Sequence, residues 1–184
     1  MHQSLIKGNE IRYGKAIYLD GLSKELMGSL SEHPVSEAML GQDHDRNKAI
    51  FPISPQEIAT WYKEQGELTF AIRLQNDHTC IGVCRFGEIA WQGRHAQLQL
   101  SFFDDSNYQS ELVGDTLQTC LQFAYWEANL NRIYLYCGAE QSILKLALEA
   151  QNFTHEGTLR QDVYRHGRYL DTHLYSILAR EWQG

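Results

Sequence analysis

Apolar residues along this chain change their period several times, and each change marks an element. Leu22, Leu26 and Leu30 recur every four positions, which predicts a helix over 20–30. Ser54-Pro55-Gln56-Glu57 predicts a second helix start. Ser54 suits the cap, Pro55 the first helical position, and Glu57 can reach back to complete a capping box. That helix runs through Trp61 to about residue 65, and the polar stretch 34–47 between the two reads as a loop. A first short strand is predicted over 11–17. Period-two alternation then takes over in 68–74 and 79–86, on either side of an Asn76-Asp77 turn. After a turn at 91–94, residues 96–103 put Ala96, Leu98, Leu100 and Phe102 on one face.

The strongest helix is 111–129, where Leu112, Thr116, Leu117, Cys120, Leu121 and Ala124 fall at helical spacing. Residues 133–137 read as a buried strand and 143–150 as a short helix. A closing hairpin is predicted from 164–169 and 174–178 around His166-Gly167. A long helix between two strands that can lie parallel makes the order mixed α/β. Residues 1–184 read as a single domain, long enough to bury a substantial core.

Composition narrows the function classes. Hydrophobic residues at 43% and charged residues at 21% are ordinary for a globular protein. The net charge of −7 argues against nucleic acid as the main partner and suits an amine slightly better than an anion. With no run of eighteen apolar residues and no signal-peptide core at the start, a cytoplasmic protein with no membrane partner is expected. Cys80 and Cys84 fall on one strand, about 13 Å apart at ~3.3 Å per residue, too far for a disulfide. Together with Cys120 and Cys137 they read as small core residues. His155, His166 and His173 have neither helical nor compact ligand spacing, so no metal is expected.

Phe153-Thr154-His155-Glu156-Gly157-Thr158-Leu159-Arg160, followed by Gly167, Asp171 and Tyr175, forms a spaced signature. Upstream of it stand Ile81-Gly82, then Ile89 and Arg94, then Ala96 and Leu98, and Asn129-Leu130-Asn131-Arg132-Ile133. In order and spacing these resemble the GCN5-related N-acetyltransferases (GNAT), specifically the RimJ/RimL-like branch that acetylates N-terminal amines of ribosomal proteins. The resemblance covers nearly the whole chain. It implies an α/β GNAT fold: a mixed central sheet of about six to seven strands, splayed between the fourth and fifth, with about four flanking helices. It also implies transfer of an acetyl group from acetyl-coenzyme A to a primary amine. In such a fold the pantetheine arm enters the splay and pairs with the fourth strand, which here includes Phe102 and Phe103. The pyrophosphate meets backbone N–H groups at the start of the central helix, where orphan donors and the dipole favour anions. The amine attacks the thioester directly, so the chemistry needs a proton acceptor, an oxyanion donor and positioning.

Against that pattern the phosphate loop is changed. Its two glycines fall on Gln109 and Glu111 within Tyr108-Gln109-Ser110-Glu111-Leu112-Val113-Gly114. Side chains there crowd a pyrophosphate, and Glu111 adds a like charge. For a bare helix the same glutamate is favourable by about 0.3–1 kcal/mol. Amides of Leu112, Val113 and Gly114 are the expected remaining grip, and Gln141 replaces an asparagine that follows the fifth strand. Leu144, Val163 and Leu148 stand where relatives carry a serine, a glutamate and a tyrosine used in proton handling. The replacement candidates are Glu88 at the end of the third strand and His95 and Gln97 at the start of the fourth. A base need only reach the amine directly or through one water.

Three functions are compatible with this pattern. One is an N-acyltransferase using acetyl-CoA or another acyl-CoA, with an amine-bearing small molecule or a peptide N-terminus as acceptor. Another is an acyltransferase whose donor has a long chain or rides on an acyl carrier protein, for which a phosphate loop is dispensable. The third is a GNAT-like protein that binds a ligand or partner without catalysis. Relatives often dimerise, which makes a homodimer an expected assembly.

Overall fold

A computed structural model describes residues 11–21, 68–165 and 167–184. The predicted helix from Ser54, the loop 34–47 and His166 lie outside these residues, as does 22–30 of the first predicted helix. The elements are β1 (Arg12–Tyr13), β2 (Ile17–Gly21), β3 (Thr69–Leu74), β4 (Cys80–Ala90), β5 (His95–Phe102), α1 (Ser110–Gln122), β6 (Arg132–Gly138), α2 (Ser142–Ala150), β7 (Thr154–Arg165) and β8 (Arg168–Leu178). They form one open sheet of eight strands in the order β1-β2-β3-β4-β5-β6-β8-β7. The β5–β6 pair is parallel and every other pair antiparallel. The described residues hold two α-helices.

The strand count exceeds the predicted six to seven for physical reasons. The strand expected over 11–17 breaks at Gly14, whose N–H donates to the Ile17 carbonyl at 2.8 Å. The Asp115 carboxylate on α1 then accepts from the amides of Lys15, Ala16 and Ile17 at 2.8, 2.7 and 3.0 Å, and the chain resumes as β2. Asp20 and Gly21 therefore belong to a strand and not to a helix start. At the other end the closing hairpin is longer than predicted, with arms of 12 and 11 residues. Most of β7 is exposed because it is an edge strand, so its sequence lacks the alternation that would reveal it.

Residues Ala96, Leu98, Leu100 and Phe102 do share one face, and α1 covers it with Val113, Leu117, Cys120 and Leu121. The predicted helix 111–129 changes form midway: α1 ends at Gln122 and a π-helical turn spans Phe123–Glu127. Phe123, Ala124 and Tyr125 are all buried within that turn. The Phe123 ring meets Phe70 and Phe86, and the Arg12 guanidinium lies 4.5 Å from its centroid while pairing with Glu127.

One feature of the sheet matters most for function. β5 and β6 are paired only at His95↔Arg132, Ala96↔Ile133 and Gln97↔Tyr134. Beyond that, β5 runs on beside β4 as far as Phe102, and β6 runs on beside β8 as far as Gly138. The two strands thus part after Gln97 and Tyr134 and leave a cleft between them.

Candidate functional site

At the closed end of this cleft the sheet face away from α1 carries polar and aromatic groups. The residues Gly87, Gln97, Tyr134 and Ser176 stand in one row across four strands. Next to Gly87 the ladder is irregular, and Glu88 sits in this bulge with φ of 47°. That left-handed backbone is costly for a residue with a Cβ and marks a site held in place by its surroundings. It turns the exposed Glu88 carboxylate towards β6, where the Tyr134 hydroxyl donates to Oε2 at 2.5 Å. The pair reaches across β5, and Gln97, only 1% exposed, lies in the row between them. Burial first, and then the neighbouring Glu88 charge, push the Tyr134 phenol above its ordinary range.

The surroundings hold Tyr134 firmly. Its ring has Tyr136 edge-on at 6.1 Å, His95 at 6.2 Å and the Arg132 guanidinium at 5.0 Å. Arg132 is fixed in turn by Glu156 at 2.6 Å, whose other oxygen accepts from Ser176 at 2.5 Å. The carbonyl of Arg94 accepts from the amides of Asn131 and Arg132, tying the starts of β5 and β6 together. His95 packs over Gly93, where an added Cβ would come within 2.9 Å of the ring. Among the described residues its buried Nδ1 has no hydrogen-bond partner. Glu88, His95 and Gln97 are therefore neighbours in space, as candidates for one site must be. Tyr134 is the member that the sequence reading lacked. Its alternation with Ile133 and Leu135 signals a strand face, but nothing local announces a partner 46 residues away.

The open end of the cleft leads to the start of α1, and its character is different. Gln109 caps the helix with an extended backbone, while its side chain donates to the Ser106 carbonyl at 2.6 Å. The side chains of Gln109, Ser110 and Glu111 are exposed. The first helical bond runs from the Val113 amide to the Gln109 carbonyl at 2.9 Å. Val113 is thus engaged in the ladder and Gly114 follows it, so the N–H groups ahead of that bond are those of Ser110, Glu111 and Leu112. This shifts the expected amide grip by two residues towards the N-terminus.

Two of the other donor candidates, Phe102 and Gln141, are buried. Phe102 is fully buried beside the Tyr108 ring, and the half-buried Phe103 gives its N–H to the Ile81 carbonyl at 3.0 Å. Gln141 is 4% exposed, and its Oε1 accepts from the Gly138 amide at 2.7 Å, closing the turn into α2. Tyr108 accepts from the orphan amide of Leu144 at 3.0 Å, and burial raises its phenol to about 12. Cys137 lies in the core, and burial pushes its thiol up to about 12, far from a nucleophile. Among the described residues no group of three or more His, Cys, Asp or Glu could hold a metal ion. His155 and His173 do meet through the Thr158 hydroxyl, at 3.3 and 2.9 Å. No helix among the described residues is long and apolar enough to cross a membrane.

Comparison with known proteins bears on this geometry. No family model matches the sequence. The chain is 25% identical over 115 residues to the N-acetyltransferase p20 of Bacillus licheniformis, which covers 62% of this chain and 64% of that protein. It is 23% identical over 123 residues to the N-acetyltransferase YoaA of Bacillus subtilis (strain 168), covering 67% of this chain and 69% of the relative. The chain thus spans just under two thirds of the first relative's length. In three dimensions it is similar to a GNAT-family acetyltransferase from Bacillus anthracis, with a TM-score of 0.73 over 93% of this chain and 99% of the other at 12% identity. It is also similar to the spermidine N-acetyltransferase of Vibrio cholerae solved with CoA and spermine, with a TM-score of 0.72 over 90% and 97% of the two chains at 18% identity. The mixed α/β architecture is therefore the GNAT fold.

Proposed function

We propose that this protein is an N-acyltransferase that moves an acyl group, in the first place acetyl, from acyl-coenzyme A to a primary amine by direct attack. The observation that carries this reading is the parting of β5 and β6 immediately beyond a row that holds Glu88, Gln97 and Tyr134. A cleft that opens there can take an extended pantetheine arm along β5, so the thioester arrives beside a carboxylate. Similarity to N-acetyltransferases of two Bacillus species and to an enzyme solved with CoA and spermine supports the same reading.

Glu88 is the proposed base. It is exposed to an incoming amine, and its carboxylate lies within reach of the cleft's closed end. His95 and Gln97 position it: one packs against Tyr134, and the other fills the row between the two side chains. The amides of Ser110, Glu111 and Leu112 are the proposed pyrophosphate grip, with the Glu111 side chain opposing it. An amine-bearing small molecule or a peptide N-terminus is the proposed acceptor.

The test is calorimetric titration with acetyl-CoA, pantetheine and a long-chain acyl-CoA, followed by an amine screen that reads thiol release. Micromolar acetyl-CoA binding with turnover of any amine is the expected result. Binding of pantetheine or the long chain alone would replace this donor with a carrier-bound or fatty one. Binding to none of the three would overturn the catalytic reading.

A further inference from the structure

Resting on the acyl-transfer reading above, we propose that Tyr134 is a second catalytic residue, which protonates the departing thiolate and is recharged by Glu88 through their shared hydrogen bond. Three observations place it there. Tyr134 and Gln97 are the last paired residues before β5 and β6 separate, so Tyr134 stands at the apex of the cleft. An acyl donor that enters along β5 from the α1 end must bring its thioester to that apex. The hydroxyl meets Glu88 Oε2 at 2.5 Å, a short bond of the kind a charged acceptor makes. The side chain is nine-tenths buried and its ring is braced by Arg132, Tyr136 and His95, which fixes the position of the hydroxyl oxygen.

The protons balance along this route. A neutral amine attacks the thioester carbon, and its nitrogen forms the new carbon–nitrogen bond. Glu88 takes the proton that the nitrogen must shed. Once protonated, Glu88 donates to the Tyr134 oxygen across the 2.5 Å bond. The phenol proton is then free to pass to the sulfur as the carbon–sulfur bond breaks, and the Glu88 proton replaces it on the phenol. The amine's proton therefore ends on the thiol, and both side chains return to their starting states. Leu148 on α2 is fully buried and apolar, so it supplies no acid.

The experiment uses the full chain with acetyl-CoA and its best amine from the screen. Tyr134→Phe and Glu88→Gln should each lower kcat by about 100-fold or more, with acetyl-CoA affinity unchanged. The double variant should be no slower than the worse single one, because the two side chains act as one unit. Replacing Tyr134 by 3-fluorotyrosine, whose phenol is more acidic, should change kcat at neutral pH several-fold with acetyl-CoA affinity unchanged. A bracing role alone would not respond to the acidity of the phenol. An active enzyme whose Tyr134→Phe variant keeps its kcat, or whose kcat ignores the fluorine, overturns the assignment alone. Wild-type protein that turns over no amine overturns the acyl-transfer reading and this assignment with it.

Discussion

The two ends of the cleft are built on opposite principles. At the closed end, Glu88 and Tyr134 are locked in a 2.5 Å hydrogen bond over a buried row, with Arg132, Glu156 and Ser176 bracing the phenol from behind. At the open end, Gln109, Ser110 and Glu111 are exposed, and the expected grip consists of backbone amides alone. Bond-making groups lose their effect when misplaced by about 1 Å. A diphosphate needs only N–H groups and a helix dipole pointing the right way. One end therefore rests on side-chain geometry, while the other presents backbone amides beside exposed side chains.

The sharpest way to break this contrast is Glu88→Gln. It should lower kcat by about 100-fold or more in a thiol-release assay, while the thermal midpoint stays within a degree or two because the side chain is exposed. Loss of fold instead of rate would make Glu88 a structural residue. Tyr108→Phe should do the reverse. It strips the Leu144 amide of its acceptor at the start of α2, and should cost about 1–3 kcal/mol in denaturant unfolding with little change in the chemical step.

A smaller effect tests the bracing. Burial alone would raise the Glu156 carboxyl, but hydrogen bonds from Ser176 and Arg132 outweigh it and hold the group below its ordinary 4.5. A carboxylate depressed on folding contributes stability that is present above pH 4.5 and is lost as pH falls through the folded value. Glu156→Gln should therefore flatten the fall of the melting temperature below pH 4.5, and free Arg132 from its place over Tyr134. An unchanged acid slope would show that the ion pair contributes nothing there. The smallest effect belongs to the open end. Glu111→Gly removes a favourable first-turn charge worth about 0.3–1 kcal/mol, yet should tighten coenzyme A binding several-fold in a titration. Unchanged affinity would mean that the pyrophosphate docks elsewhere.

Much of this was legible in the chain, and the exceptions are instructive. Alternation in 96–103 and helical spacing in 111–122 located β5 and α1 because each buries one full face. Glu88, His95 and Gln97 were legible as neighbours because a turn at 91–94 must return the chain beside itself. Tyr134 was not, since its hydroxyl partner is 46 residues away. Gln141 was legible as a donor-binding candidate, but the contact of its Oε1 with the Gly138 amide was not. The strand break at Gly14 leaves no local signal, because the Asp115 carboxylate that captures three amides there is about a hundred residues downstream.

The sequence by itself determined the class of fold, because burying apolar faces of period two and 3.6 is a local property of the chain. It also determined that positions 109 and 111 carry glutamine and glutamate, not glycine, which is visible without coordinates. Only the tertiary structure decided which titratable groups meet. Strand order and a bulge at Glu88 bring β4 within reach of β6 across β5, and such proximity depends on distances that no local period encodes.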